Sequence, residues 1–238
     1  MSGASLRESS VSSLRLFGSA ARGESDSWSD NDLLIVIPYK SSLERIREVV
    51  DGLREAKNDI SVYTERRYRQ MHAEGHLFTW HIFKESRSVA LEGLAPQTPD
   101  LITQLGAPSA YHGSRADAQA LIAMLAHCAE GLASEDASEV FEAGILYVVS
   151  RNLSIIASWR LGCLSFSVRV PFLIGGMLGH PYPLDEATYL LLRQSRKATA
   201  SGATPPSISR ATALTWLQQV NDWAVRLRPF IFGEVYVS

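Results

Sequence analysis

The residues with the most chemical content lie in two short segments near the start of the chain, Leu16-Phe17-Gly18-Ser19-Ala20-Ala21-Arg22-Gly23 and Ser29-Asp30-Asn31-Asp32-Leu33-Leu34-Ile35-Val36-Ile37. Gly18 ends an apolar run and lets backbone come close to a phosphate, while Ser19 and the first amides of a following helix offer donors to its oxygens. Residues two apart in a strand face the same side, so Asp30 and Asp32 set two carboxylates together where the second strand begins. Such a pair repels unless a cation joins it, and hard oxygen donors select Mg²⁺, which also bridges nucleotide phosphates. The two segments together predict a metal-nucleotide complex.

A third carboxylate would complete a two-metal site, in which one ion activates an attacking hydroxyl and the other neutralises a leaving pyrophosphate. Asp59 is the candidate. It opens the segment Asp59-Ile60-Ser61-Val62-Tyr63, which a strand-helix-strand crossover would lay beside the strand of Asp30 and Asp32. Glu24 and Asp26 are weaker choices in the loop. Arg22 is placed either to contact a phosphate or to cover the loop, and Ser29 either to contact phosphate or metal water or to cap backbone. Arg66, Arg67 and Arg69 form a basic cluster read as a solvated face.

The elements that must position these residues alternate between strand and helix signals up to about residue 95. Leu14 to Phe17 and Leu33 to Ile37 read as buried strands, the second stopped by Pro38. Ser41 or Ser42 caps a helix through Glu55 that carries Leu43, Ile46, Val49, Val50 and Leu53 on one face. Ile60 to Tyr63 gives a third strand, and the large residues of His76 to Phe83 suggest a fourth that would hold Trp80 and His81 as core or as groups supporting the site rather than as catalysts. Beyond the Pro-bearing stretch Leu94 to Pro99 the pattern turns helical: around Leu121 to Leu125, over Val140 to Leu161 with apolar residues nearly all round, over Leu184 to Lys197, and over Ser209 to Leu227. Thr199 to Ser207 is expected to be a mobile loop, with Arg193, Arg196 and Lys197 before it. The expected architecture is α+β: a small mixed-sheet domain at 1–95 followed by an all-α helical bundle at 96–238.

Composition narrows the partners. The chain has 238 residues, 46% hydrophobic and 20% charged, as folded proteins do. Lys and Arg number 23 against 25 Asp and Glu, evenly shared between the two halves, so no broad basic surface attracts a polyanion. The two cysteines, Cys128 and Cys163, exclude a disulfide framework and a cysteine metal cluster. No stretch reaches about 18 uninterrupted apolar residues and the first residues lack an apolar signal core, so a cytoplasmic protein with no membrane partner is expected.

The motif Gly18-Ser19, ten residues, Asp30-Asn31-Asp32, with Arg22-Gly23 and Ser29 in their places, resembles the signature of the DNA polymerase β nucleotidyltransferase superfamily, and of its minimal nucleotidyltransferase branch in particular. The resemblance implies a Mg²⁺-dependent enzyme, with Mn²⁺ as a substitute, that binds an NTP such as ATP and moves an NMP to an acceptor hydroxyl with release of pyrophosphate. It implies that Gly18 and Ser19 bind the triphosphate and that Asp30, Asp32 and Asp59 hold the metals. Nucleotidyltransferases joined to helical bundles resemble aminoglycoside-modifying enzymes, which favours a small-molecule acceptor; toxin-antitoxin and defence relatives that modify RNA or a protein Tyr form the alternative, and a non-catalytic nucleotide-binding module a further one. Glu135, Asp136, Glu139 and Glu142 would be the acids facing a cationic acceptor. Homo-oligomerisation stays open. Arg151-Asn152 interrupts the apolar helix, but the His that follows the Arg of a HEPN ribonuclease is replaced here by Ile156, Ala157 or Ser158, so Arg151 is read as structural or substrate-contacting.

Overall fold

In the computed structural model, residues 9–24, 31–38, 47, 50–53, 58–91 and 94–233 are described. The chain divides into two compact units, Met1–His112 and Gly113–Ser238.

The first unit is a mixed sheet. In chain order it holds β1 (Ser9–Val11), β2 (Ser13–Phe17), α1 (Gly18–Arg22), β3 (Asn31–Ile37), β4 (Asn58–Thr64), α2 (Glu65–Ala73), α3 (Leu77–Glu85), β5 (Arg87–Ser88), β6 (Leu94–Pro96) and α4 (Leu101–Leu105). Four strands lie in the order β4-β3-β2-β5, with β2 antiparallel to β3 and β3 parallel to β4, while β1 and β6 form a separate parallel pair. The parallel β3–β4 pair is the crossover that the sequence predicts. Successive residues of β3 serve opposite faces, as the two-residue period requires. Leu33, Ile35 and Ile37 join Val11, Leu14, Val50, Ile60 and Leu94 in one core. Leu34 and Val36 join Phe17, Tyr68, Ile82, Leu101 and Ile102 in the other. Of the helix expected from Ser41 to Glu55, backbone at 47 and 50–53 is helical, with Val50 buried; Ser41, Ser42, Leu43, Ile46 and Val49 lie outside the described residues.

Two findings revise the sequence reading here. The segment expected as a fourth strand, His76 to Phe83, is helix α3. The His76 ring accepts from the Phe78 amide and caps it, and Thr79 and Ile82, three apart, are the residues it buries. Bulky residues on every side supply both a strand-like and a helix-like period, and the cap together with the three-residue burial spacing resolves the conflict. The first unit also carries on past residue 95. Asp100 accepts from the Ile102 and Thr103 amides to cap α4, whose Leu101 and Ile102 enter the sheet core, and Trp80 Nε1 donates to the Ser109 carbonyl at 2.9 Å.

The second unit is helical: α5 (Ser114–Ala133), α6 (Glu139–Arg160), α7 (Val170–Met177), α8 (Glu186–Ser201) and α9 (Arg210–Phe232). Each of the other four packs against α6. By length and composition α6 is able to cross a bilayer, but most of it is buried inside the unit, as a central bundle helix is. Gly144 lets α8 come close, since a Cβ there would meet the Arg196 backbone at 3.1 Å. Ser138, Asp185 and Ser209 cap α6, α8 and α9 through the amides of Phe141, Thr188 and Thr212. α8 runs into the expected loop as far as Ser201, with Thr199 Oγ1 donating back to the Ser195 and Arg196 carbonyls.

Candidate nucleotide and metal site

Asp32 stands in the second position of β3, paired across the antiparallel ladder with Phe17 and across the parallel ladder with Asp59. Because side chains alternate, Asp32 shares its face with Leu34 and Val36, and Asp59 shares the same face of β4 with Tyr63, which packs on that core. Neighbouring strands run about 4.8 Å apart, so the register brings these two carboxylates side by side at the ends where their strands begin. Asp32 is half-buried and Asp59 exposed.

Gly18 completes one side of this arrangement. It follows Phe17 directly, has φ +69°, and a Cβ placed on it would overlap the Asp32 carboxylate. Both conditions exclude an ordinary side chain, the first by backbone sterics and the second by space. The turn continues into α1, which has five residues, and no side chain caps its first amides. At its end the Ser19 carbonyl accepts from the Gly23 and Glu24 amides, with Gly23 left-handed at φ 71°. The helix is too short for much macrodipole, so the local amides of the turn are what it could offer an anion.

Arg22 is committed to two carboxylates. It pairs with Glu24 at 2.8 Å and with Glu85 on α3, and Glu85 also meets His81 Nε2 at 3.1 Å. Burial works to raise the Glu85 pKa, but His81 and Arg22 prevail and hold its carboxyl below the usual carboxylate range. For Arg22, burial works to lower the pKa, while Glu24 and Glu85 raise it. The Phe17 ring stands edge-on to both Phe78 and His81, with centroids 5.7 and 5.4 Å away. The Gly-Ser turn is thereby fastened to α3 by an ion network and by aromatic contact.

Of the residues singled out in the sequence, the structure places Gly18, Asp32 and Asp59 together, with Ser19 next in the turn. Ser29, Asp30 and Asp26 lie outside the described residues. Among the described residues no group of three or more His, Cys, Asp or Glu side chains is gathered as a metal site. The donor set present is two aligned carboxylates, hard oxygen ligands of the kind a divalent cation such as Mg²⁺ takes, and the glycine keeps the space beside Asp32 free of a Cβ. Arg66, Arg67 and Arg69 are exposed on α2, Arg69 reaching Glu65 at 3.6 Å, as a solvated face would be. Glu85 escapes the sequence reading, and His81 enters it only as core or support, because Arg22 is 63 residues away from Glu85 and because the bulky pattern of 76–83 also fits a strand. Their four-residue spacing would have been the signal on a helix.

Residues 4–77 match the family model of the nucleotidyltransferase domain. No curated protein matches the chain. Members of that family typically use divalent metals and take a nucleoside triphosphate. The match, confined to residues 4–77, marks an N-terminal nucleotidyltransferase domain, consistent with the DNA polymerase β-like kind and followed by a helical region, and supports a transferase of nucleotidyl groups.

Proposed function

We propose that the protein moves an NMP from an NTP, with ATP as the natural first choice, to the hydroxyl of a small-molecule alcohol, and that Asp30, Asp32 and Asp59 hold Mg²⁺ for that reaction, with Mn²⁺ able to replace it. The observation that carries the reading is the register of Asp32 against Asp59 with Gly18 pressed on the Asp32 carboxylate. Two metals, when bound, supply charge neutralisation at the phosphates and a lowered pKa at the acceptor hydroxyl. The Ser19 hydroxyl and the uncapped amides of the turn hold the β- and γ-phosphates. Asp59, exposed at its strand end, receives the proton of the acceptor hydroxyl as its oxygen bonds to the α-phosphorus; the bond from that phosphorus to the bridging oxygen breaks and pyrophosphate leaves. The ion network of Arg22, Glu24 and Glu85 keeps the turn in place.

The even charge balance supports a small acceptor over a long RNA. The acids that would face an aminoglycoside are partly spent: Glu139 pairs with Arg210 at 3.4 Å, and Glu142 is buried over Gly131. An acceptor with many amines would need other carboxylates.

Incubation with each labelled NTP and Mg²⁺ against aminoglycoside-type alcohols, bulk tRNA and cell protein tests the proposal. Label in the alcohol pool, lost in Asp32→Asn, is expected. Label in tRNA or protein would move the acceptor to the toxin-antitoxin or defence class, and nucleotide binding without pyrophosphate release from any pool would leave a binding module.

A further inference from the structure

Three polar atoms of the second unit are buried with no hydrogen-bond partner: Nε of Arg151 on α6, the hydroxyl of Tyr182 ahead of α8, and the hydroxyl of Tyr189 in the first turns of α8. They sit in one aromatic cluster. The Tyr182 and Tyr189 rings meet edge-on with centroids 5.6 Å apart, and Phe172 of α7 stands edge-on to both at 5.2 and 5.3 Å. Tyr147 of α6 lies 5.3 Å from Tyr189, and Trp223 of α9 lies 5.4 Å from Tyr182. Four helices therefore wall the cluster. Arg151, one helical turn beyond Tyr147, shares its face of α6.

Both tyrosines are over nine-tenths buried, at 6% and 5% exposure. Ser150 is the polar side chain acting on the Tyr182 hydroxyl, and its own proton goes to the Tyr147 carbonyl at 3.2 Å. The Arg151 guanidinium uses Nη2 on the Phe166 carbonyl at 2.7 Å and has no carboxylate partner among the described residues. Arg151 and Arg193 both stand close enough to act on the Tyr189 hydroxyl, whose pKa burial pushes up. Buried polar groups are normally satisfied, and an unmade bond at such a site points to an absent partner. Here the orphans are an N–H that can only donate and two phenols that donate well, beside an Arg151 charge with no carboxylate partner among the described residues. Water would satisfy the hydrogen bonds; an oxyanion would satisfy them and pair with the guanidinium charge as well.

We propose that Arg151, Tyr182 and Tyr189 form a binding site in the helical unit for a small oxyanion, the phosphate or carboxylate group of a ligand. Arg151 is half-buried, so part of this residue reaches solvent. The site does not depend on the nucleotidyl-transfer reading.

Titration of the full chain with inorganic phosphate and with acetate, at ionic strength matched by potassium chloride and without divalent metal, tests it by calorimetry and by the fluorescence of Trp223 beside Tyr182. Saturable binding of at least one of the two anions is expected, weakened at least tenfold in the Tyr182→Phe/Tyr189→Phe variant, lost in Arg151→Gln, and unchanged in Ser19→Ala, which alters only the phosphate turn of the first unit. The phenylalanine variant keeps ring shape, so it decides the matter if Arg151→Gln fails to fold. Phosphate-only binding assigns a phosphoryl ligand, and acetate binding a carboxylate one. The proposal falls if neither anion binds, if binding survives loss of both phenols, or if Ser19→Ala abolishes it.

Discussion

Arg15 and Arg151 are partly or wholly buried guanidiniums, one in each unit, and their surroundings differ in kind. Arg15, on β2, reaches Asp100 through Nη2 at 2.9 and 3.0 Å and Nε at 3.3 Å, Thr103 through Nη2 at 2.7 Å and Ser86 through Nη1 at 3.2 Å. Asp100 in turn accepts from Ser13 and caps α4. Burial alone would raise the Asp100 pKa, yet the Thr103 amide, Arg15 and Ser13 outweigh it and hold the carboxyl below its usual range. Arg151 has one carbonyl, orphaned phenols and no carboxylate among the described residues. A buried ion pair whose donors and acceptors are all used holds a fold together; a guanidinium left with spare donors inside an aromatic wall is poised to meet something else.

The largest effect should come from opening the closed site. Asp100→Ala leaves the Arg15 charge buried without its partner and removes the α4 cap, so urea unfolding should show a loss of about 3–5 kcal/mol, the range for breaking a buried pair from one side. An effect below about 1 kcal/mol would erase the contrast. Next in size, Asp32→Asn should lower kcat for nucleotidyl transfer by roughly 10²–10³-fold, as loss of one preorganised charged group does, with the melting temperature little changed. A third effect follows from acid. Asp100 and Glu85 both have folded pKa values depressed below their unfolded ones, so the unfolded chain binds more protons on acidification. Their stabilisation is complete above the unfolded carboxylate pKa of about 4 and drains away as pH falls through the lower folded values. Arg15→Gln should flatten that acid limb in a plot of stability against pH. The smallest change belongs to the open site: Tyr189→Phe deletes an oxygen with no partner, and its stability should stay within about 1 kcal/mol of the parent or rise slightly.

How much of this was legible in the sequence depended on distance along the chain. The Gly-Ser turn, the strands of Leu14 to Phe17 and Leu33 to Ile37, and the crossover that brings Asp59 beside Asp32 all rest on spacing within about 40 residues, and apolar runs bounded by Gly18 and Pro38 marked them. The long helices α6 and α9 were legible from sustained periodicity. β1, β5 and β6 are too short to carry a period, and α4 and α7 hold one or two turns. The Arg15–Asp100 pair joins residues 85 apart, and nothing in either local stretch names the other. The tyrosine cluster gathers residues from four helices, so only packing reveals that their hydroxyls are left over.

The strand β6 and helix α4 bear on where this chain can be cut. The family match ends at residue 77, yet the sheet core borrows Ile82 from α3, Leu94 from β6, and Leu101 and Ile102 from α4. A fragment stopped at residue 95 would discard the only carboxylate that Arg15 meets among the described residues and leave the Ser12 carbonyl without the Leu101 amide that donates to it at 2.8 Å. A fragment carried to His112 keeps both. What is inherited as a recognisable stretch of sequence is thus shorter than what must be synthesised before the sheet can close, and a ribosome has to deliver some 35 residues beyond the recognisable stretch before this half of the molecule is complete.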